Sequence, residues 1–344
     1  MAIKLVTKTQ HGTPGGVAQY WHRLERIAGQ QGIGIDWIML DQWKAGHATA
    51  QPGRDLIIVD NQDALHIQGE YGVIATQHGC AMEHGLRDRS QPHIRMGEQQ
   101  MAAAQRARTF WVACSDWAAH HCRLHMGVEA DRIVYGAVDT DTYIPSERQR
   151  RRDARKPVVL HHCTDSNKGK HLIAGVANAL GNGYEVRELH CAPEAVPDAM
   201  RAADIWLCLS ASEGLPTVVM EAISCGLVVV GTNVGVLWPY TCGTPLAEGR
   251  FVSWLNKQLG AVVFDWQQRD YPEVVADHVR SAWRHRKELV GGRAFARQFW
   301  SLETFGRKWL EAIQLAAQRF RIAVSGAPAR APVPAGAGRP GERR

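Results

Sequence analysis

The chain has 344 residues, 45% of them apolar and 22% charged. One hydrophobic core seldom serves more than ~250–300 residues, so two domains are expected, and the composition excludes a mostly disordered, collagen-like or coiled-coil chain. The net charge of +6 is unevenly placed: −2 over residues 1–145, +4 over 146–156, zero over 157–320 and +4 over 321–344. Neither half is a basic surface, which argues against nucleic-acid binding.

No window approaches the ~18 apolar residues of a membrane span, and the apolar run near the start is too short for a signal peptide. The eight cysteines are scattered, without a C-x-x-C pair. A cytoplasmic protein with free thiols is therefore expected.

Apolar runs alternate with amphipathic segments along the chain. Residues 3–8 read as a buried strand. A helix over Val17–Ala28 follows the Gly15–Gly16 turn. Strands follow at 35–40, 55–60, 72–77 and 110–115, with helices at Arg95–Arg108 and Asp116–His125. The charged run 146–156 reads as a solvated linker, with contact to an acidic membrane surface as its other reading.

Beyond it come strand 158–163, helix His171–Leu180, strand 185–190, a short helix near Pro197 and strand 205–210. Helix Pro216–Cys225, strands 227–232 and 261–264, helix Val274–Arg286 and a long helix Trp300–Phe320 complete the order. Residues 321–344, rich in Pro, Gly, Ala and Arg, read as disordered. Alternating strands and helices imply parallel sheets covered on both faces. The pattern occurs on both sides of the linker. The expected fold is α/β: two doubly wound, Rossmann-like domains (1–145 and 157–299) facing across a cleft.

Residues 203–235 carry the most chemistry. A strand ends in Ser210–Ala211–Ser212, Glu213 and Gly214 follow, and Pro216 opens a helix. Free amides of Thr217 and Val218 at the positive end of that helix make an anion site suited to phosphate. Glu213 and Glu221 flank the cradle, placed to grip hydroxyls rather than the phosphate. A nucleotide sugar has that layout.

The segment SASEGLPTVVMEAISCGLVVVGTNVG resembles the signature of glycosyltransferase family four, the group 1 retaining transferases of GT-B fold. Other stretches resemble that family in register. Gly15 and Gly16 look like its first glycine-rich loop, which lets backbone approach a diphosphate. His78, ending IATQHG, is similar to its histidine near the donor sugar. Lys168, in HHCTDSNKGK, resembles the lysine that contacts the diphosphate. The chain departs from the pattern at His162 and Cys163, where relatives carry an arginine; Lys170 or a protonated His162 would have to compensate. Residues 297–313 resemble the closing segment, which implies a last helix packing back on the first domain.

The resemblance implies transfer of a hexose from a nucleoside-diphosphate sugar to a glycan or lipid-linked acceptor, as in polysaccharide biosynthesis, with retention at the anomeric carbon. Glu213, His78 and Lys168 would be the catalytic residues. Gly15, Gly16, Lys168, Gly214, Leu215, Pro216, Thr217, Val218 and Glu221 would bind the donor, UDP- or GDP-linked for example, with Glu221 on the ribose. The acceptor would sit on the first domain near residues 80–96. No metal or other cofactor is expected. Asp139–Thr140–Asp141 spells D-x-D but lies in an ordinary part of the pattern, and His120, His121, Cys122 and His125 have no third ligand at metal-site spacing. A donor-binding protein without turnover, or a GT-B enzyme of epimerase or phosphorylase type, are the alternatives. Oligomeric state is not legible.

Overall fold

The computed structural model describes residues 2–12, 15–151, 153, 156–240, 244–248 and 251–322. The first sheet is parallel throughout, in the order β2-β1-β3-β4-β5-β6. Its strands are β1 (Ile3–Thr7), β2 (Ile35–Met39), β3 (Leu56–Asp60), β4 (Gly72–Gln77), β5 (Thr109–Ala113) and β6 (Arg132–Ile133). β4 and β5 are buried at every position, the price of helices on both faces, and so read as unbroken apolar runs.

Helices α1 (Gly16–Gln30), α2 (Leu40–Lys44), α3 (Ala81–Asp88), α4 (Gln91–Gln105) and α5 (Asp116–Met126) belong to this half. Two of them correct the reading of 80–108. Gly85 and Gly97 let α3 and α4 touch, since a Cβ on Gly97 would lie 2.7 Å from the Met82 backbone. Close packing of two short helices, rather than one strong apolar stripe, makes this hairpin.

The second sheet runs β11-β12-β13-β10-β9-β7-β8. Its members are β7 (Val158–His161), β8 (Glu185–Glu188), β9 (Ile205–Cys208), β10 (Val228–Thr232), β11 (Thr244–Glu248), β12 (Phe251–Asn256) and β13 (Ala261–Phe264). β11 and β12 form an antiparallel hairpin on an otherwise parallel sheet, an addition the sequence pattern did not announce. Around the sheet lie α6 (Glu147–Arg151), α7 (Ile173–Leu180), α8 (Val196–Arg201), α9 (Thr217–Ser224), α10 (Pro272–Arg284) and α11 (Gly292–Phe299).

The start of the linker keeps Glu147, Arg150 and Arg151 exposed as expected but docks through Arg148 and Gln149. The Gln149 side chain is buried and donates to the carbonyls of Met200 (3.2 Å), Arg201 (2.9 Å) and Ala203. Arg148 pairs with the buried Asp204 carboxylate. A polar run satisfied by backbone carbonyls leaves no apolar stripe to read.

The expected long terminal helix Trp300–Phe320 is present and starts two residues later, as α12 (Leu302–Phe320), because α11 runs up to Phe299 and Ser301 caps the new helix, its hydroxyl accepting the Thr304 N–H at 3.3 Å. The chain crosses between the sheets here and near Val138, whose N–H donates to Trp300 O at 2.7 Å. α12 then packs on the first sheet. Phe305, Trp309, Ile313 and Phe320 join Leu5, Trp21, Ile58 and Ile74 in one core. The Trp309 indole donates to the Tyr20 hydroxyl (3.1 Å), which donates to Val134 O (3.0 Å). Ile322 is also buried; the rest of the expected disordered tail lies outside the described residues. Among the described residues no helix is long and apolar enough to cross a membrane.

Gly306 of α12 lies directly on Ile27 of α1, so a Cβ there would overlap that side chain. Gly306→Ala is expected to cost about 1–3 kcal/mol in urea unfolding through overpacking. Gly29→Ala, on the same helix pair with nothing within 4 Å of its Cβ, should instead gain up to about 1 kcal/mol from helix propensity.

Candidate active site

The C-terminal ends of the two sheets meet in a cleft, where loops after parallel strands gather polar groups. From the second sheet, β9 leads into Ser210–Pro216 and then α9. Pro216 is the residue before the first helical turn rather than its first member. Its carbonyl accepts the Val219 N–H at 3.0 Å, which leaves the Thr217 and Val218 amides as the unsatisfied donors at the positive helix end.

Glu213 is held by the Ser210 hydroxyl, which donates to Oε1 at 3.0 Å. Burial pushes the Glu213 carboxyl above the usual range, opposed by the nearby Lys168 charge and the Ser210 bond. Lys168 follows β7 in a tight turn. Its N–H donates to Asp165 Oδ1 at 2.9 Å, and Gly169, at φ +79°, seats the turn on Leu209, 2.8 Å from where a Cβ would stand. The Lys168 ammonium has no ion-pair partner within 4 Å among the described residues. A cavity of about 20 Å³ lies between Lys168, Ser210, Glu213, Pro216, Val218 and His162.

Two groups here escaped the sequence reading. Arg269, in the 3₁₀ turn Trp266–Asp270, is buried beneath both loops. Its Nη1 donates to Asn167 O at 2.6 Å and to Leu209 O at 2.8 Å, so one guanidinium ties the Lys168 loop to the end of β9. Nothing in the local sequence QQRDY marks it. His162 does not face this cavity as a spare cation alone, because its Nδ1 lies 3.3 Å from Leu189 O. Lys170 is exposed in the following turn.

From the first sheet, His78 follows β4. Its Nε2 lies 2.9 Å from Asp60 Oδ1, at the end of β3. Asp60 also accepts from the Trp21 indole (2.8 Å) and the Thr7 hydroxyl. Tyr20 and Trp21 stand edge-on to the imidazole at 5.2 and 5.5 Å. Asp60 was read only as the end of an apolar strand. A carboxylate at the C-terminal end of a parallel strand was the available signal. Gly15 precedes α1 at φ 136°, a conformation side chains rarely adopt, while Cβ atoms on Gly15 or Gly16 would meet nothing within 4 Å. The loop is thus open to an approaching ligand.

The halves are in contact across this cleft. A Cβ on Gly214 would overlap the His78 carbonyl oxygen. Ser115 Oγ accepts the Ala118 N–H at 3.1 Å as the cap of α5 and donates to Gly214 O at 2.5 Å. Leu215 packs on Gly136 and on the first domain's core. Glu221 is buried on α9 and accepts from Arg23 of α1 at 3.0 Å. Burial raises its carboxyl, with Arg23 opposing the shift. Trp238 stacks on His120 at 4.7 Å, which makes it an interdomain contact.

The D-x-D carboxylate of Asp139 caps its own turn, accepting from the Asp141 and Thr142 amides at 3.2 and 3.3 Å. His121 Nδ1 lies 3.3 Å from His125 Nε2. One trio does gather, His11, His22 and Glu25, with ligand atoms within 4.8 Å. The Gly12 N–H donates to His22 Nε2 at 3.1 Å, which leaves the His22 proton on Nδ1, facing Glu25 3.6 Å away. His11 Nε2 lies 3.2 Å from Glu25 Oε2. A concavity of about 1330 Å³ between α1, residues 139–141 and α12 is lined by none of the residues of the cleft.

A model of the family "Glycosyl transferases group 1" matches residues 166–238, which span the Lys168 loop, β9, the Glu213 loop and α9. No curated protein matches the sequence as a whole. Among solved structures the chain is similar to sucrose-phosphate synthase from Thermosynechococcus elongatus (TM-score 0.71, 15% identity, 93% of this chain and 99% of that one). It is also similar to HepE of Anabaena in complex with UDP (0.66, 15%, 92% and 100%). A third is WaaG, a glycosyltransferase involved in lipopolysaccharide biosynthesis (0.59, 14%, 92% and 99%). The fold is therefore GT-B.

Because burial penalises the ionised form of Glu213, the folded chain holds that proton to higher pH than the unfolded chain does. The penalty is full above the raised native pKa and fades as pH falls through it. Glu213→Gln is accordingly expected to raise the melting temperature at about pH 8, with an advantage that shrinks toward about pH 5. Scanning calorimetry across that range checks the sign.

Proposed function

We propose that the chain is a glycosyltransferase that moves a hexose from a nucleoside-diphosphate sugar to a glycan or lipid-linked acceptor, with retention of anomeric configuration. The observation that carries the reading is one juxtaposition. Lys168, without an ion-pair partner among the described residues, and the buried Glu213 share a small cavity with the start of α9, and that edge of the second sheet faces His78 of the first.

The barrier to transfer is charge growing on the leaving diphosphate. Lys168 and the Thr217 and Val218 amides face that charge from the second domain, and the open Gly15–Gly16 loop from the first, so the dipoles need no rearrangement during reaction. Glu213 then holds hydroxyls of the hexose, and Glu221 holds the ribose by taking its hydroxyls in place of Arg23. Arg23 of the first domain occupies the Glu221 carboxylate and Gly214 rests on the His78 carbonyl oxygen, so donor entry requires the halves to part and transfer requires them to close again. UDP is bound in the HepE structure and ADP in that of a starch synthase IV from Arabidopsis thaliana, which supports a nucleotide donor here without choosing its base.

The His78–Asp60 pair favours a second reading of the stereochemistry. With Nε2–H directed at Asp60, Nδ1 is the basic nitrogen. If it takes the proton of the acceptor hydroxyl, that oxygen displaces the diphosphate from the opposite face and the configuration inverts.

A panel of UDP-, GDP-, ADP- and TDP-sugars, titrated by thermal shift with and without EDTA, tests donor binding. One donor should stabilise the wild type, and the stabilisation should persist in EDTA. Lys168→Ala and Glu221→Ala should weaken binding about 10–100-fold, as expected for lost charge-assisted hydrogen bonds. Failure of every donor to shift the wild type overturns the assignment. Stabilisation without turnover on any acceptor favours the binding-protein alternative. The anomeric coupling of the product by proton NMR separates retention from inversion.

A further inference from the structure

Four hydrogen bonds close a ring across the cleft. On α3 of the first domain, Arg87 Nη1 lies 3.5 Å from Glu83 Oε1, one helical turn away. Glu83 Oε2 accepts from Ser212 Oγ of the second domain at 2.6 Å. The Ser212 carbonyl accepts from Asn167 Nδ2 at 2.9 Å. Asn167 Oδ1 accepts from Arg87 Nη2 at 3.1 Å, which returns the ring to its start.

The two second-domain members immediately precede Lys168 and Glu213. Asn167 is also bound on its carbonyl, by the Ala211 N–H at 2.8 Å and by Arg269 Nη1. The ring is sheltered from water, since the Arg87 and Glu83 side chains keep only 11% and 12% of their exposure. Polar groups so placed are costly to leave unpaired.

We propose that Arg87 and Glu83 are positioning residues that the first domain supplies to the second: through Asn167 and Ser212 they set the backbone from which Lys168 and Glu213 reach the donor. The role of those two residues rests on the donor-site reading above. A lysine side chain is long and flexible, so its aim depends on how firmly its root is held. Without Arg87 and Glu83, the Asn167 side-chain oxygen loses its donor and the Ser212 hydroxyl loses its acceptor, and both loops keep only bonds made within the second domain. Docking of the first domain and grip on the diphosphate then become linked equilibria, each favouring the other.

Hydrogen–deuterium exchange tests the ring without any ligand. Arg87→Ala should speed exchange in peptides covering 163–169 and 209–214 of the other domain, while β1 and β3 stay as in the wild type. Unchanged exchange in those two loops overturns the proposal. Arg87→Lys, which keeps charge and helix but cannot bridge Glu83 and Asn167 together, should fall between wild type and Arg87→Ala.

A double-mutant cycle with a nucleoside diphosphate (UDP, GDP or ADP) then reads the coupling. Arg87→Ala should weaken binding roughly tenfold when Lys168 is present and hardly at all in a Lys168→Ala background. Additive effects overturn the proposal, because a merely structural Arg87 would act independently of Lys168. If the wild type binds no nucleoside diphosphate, the donor assignment falls, and the exchange result still decides whether Arg87 orders the two loops.

Discussion

The approach of Gly214 to the His78 carbonyl oxygen sets the geometry of the cleft. No side chain fits between them, so the backbone of one domain rests on the backbone of the other. Other cross-cleft contacts lie beside this one: the Ser115 bond to Gly214 O, the Leu215 contact with Gly136 and the Ser212 bond to Glu83. A backbone contact of this kind is stiff, and it brings groups from two independent cores within reach of one small molecule. Its cost is that the cleft is nearly filled when closed.

Reactive groups in the cleft are held in unfavourable states by their surroundings. Glu213 and Glu221 are buried carboxylates whose ionised forms are penalised, and their partial compensation comes from Lys168 and Arg23. Lys168 is left without an ion-pair partner although the loop beneath it is fixed at Asp165, Asn167 and Gly169. Carboxylates buried this way lower stability locally, because their desolvation is only partly offset.

Much of this was legible from the chain. The buried strands of both sheets announce themselves as apolar runs, and the glutamates, the proline and the strand–helix frame of 203–235 lie together in sequence. What was not legible depends on distant partners. Asp60 looks like the end of a strand until it meets His78, Trp21 and Thr7. Arg269 looks like a surface residue until it is found under two loops. The α3–α4 pair rests on two glycines that permit contact, and Gln149 on three carbonyls some fifty residues away. The β11–β12 hairpin carries no turn signal strong enough to separate it from a loop, and Trp300 ends one helix because Ser301 caps the next.

The return of α12 to the first sheet has a consequence for synthesis. The first domain's β1 starts at Ile3, yet its core includes Phe305, Trp309, Ile313 and Phe320. As the chain leaves the ribosome, the second domain's strands are all present before the first domain's last helix exists. The half made first is therefore the half completed last, and until then an apolar face over Tyr20, Trp21 and Ile74 has no cover. Order of translation and order of folding run in opposite directions, and the C-terminal segment acts as the closing piece for the N-terminal half.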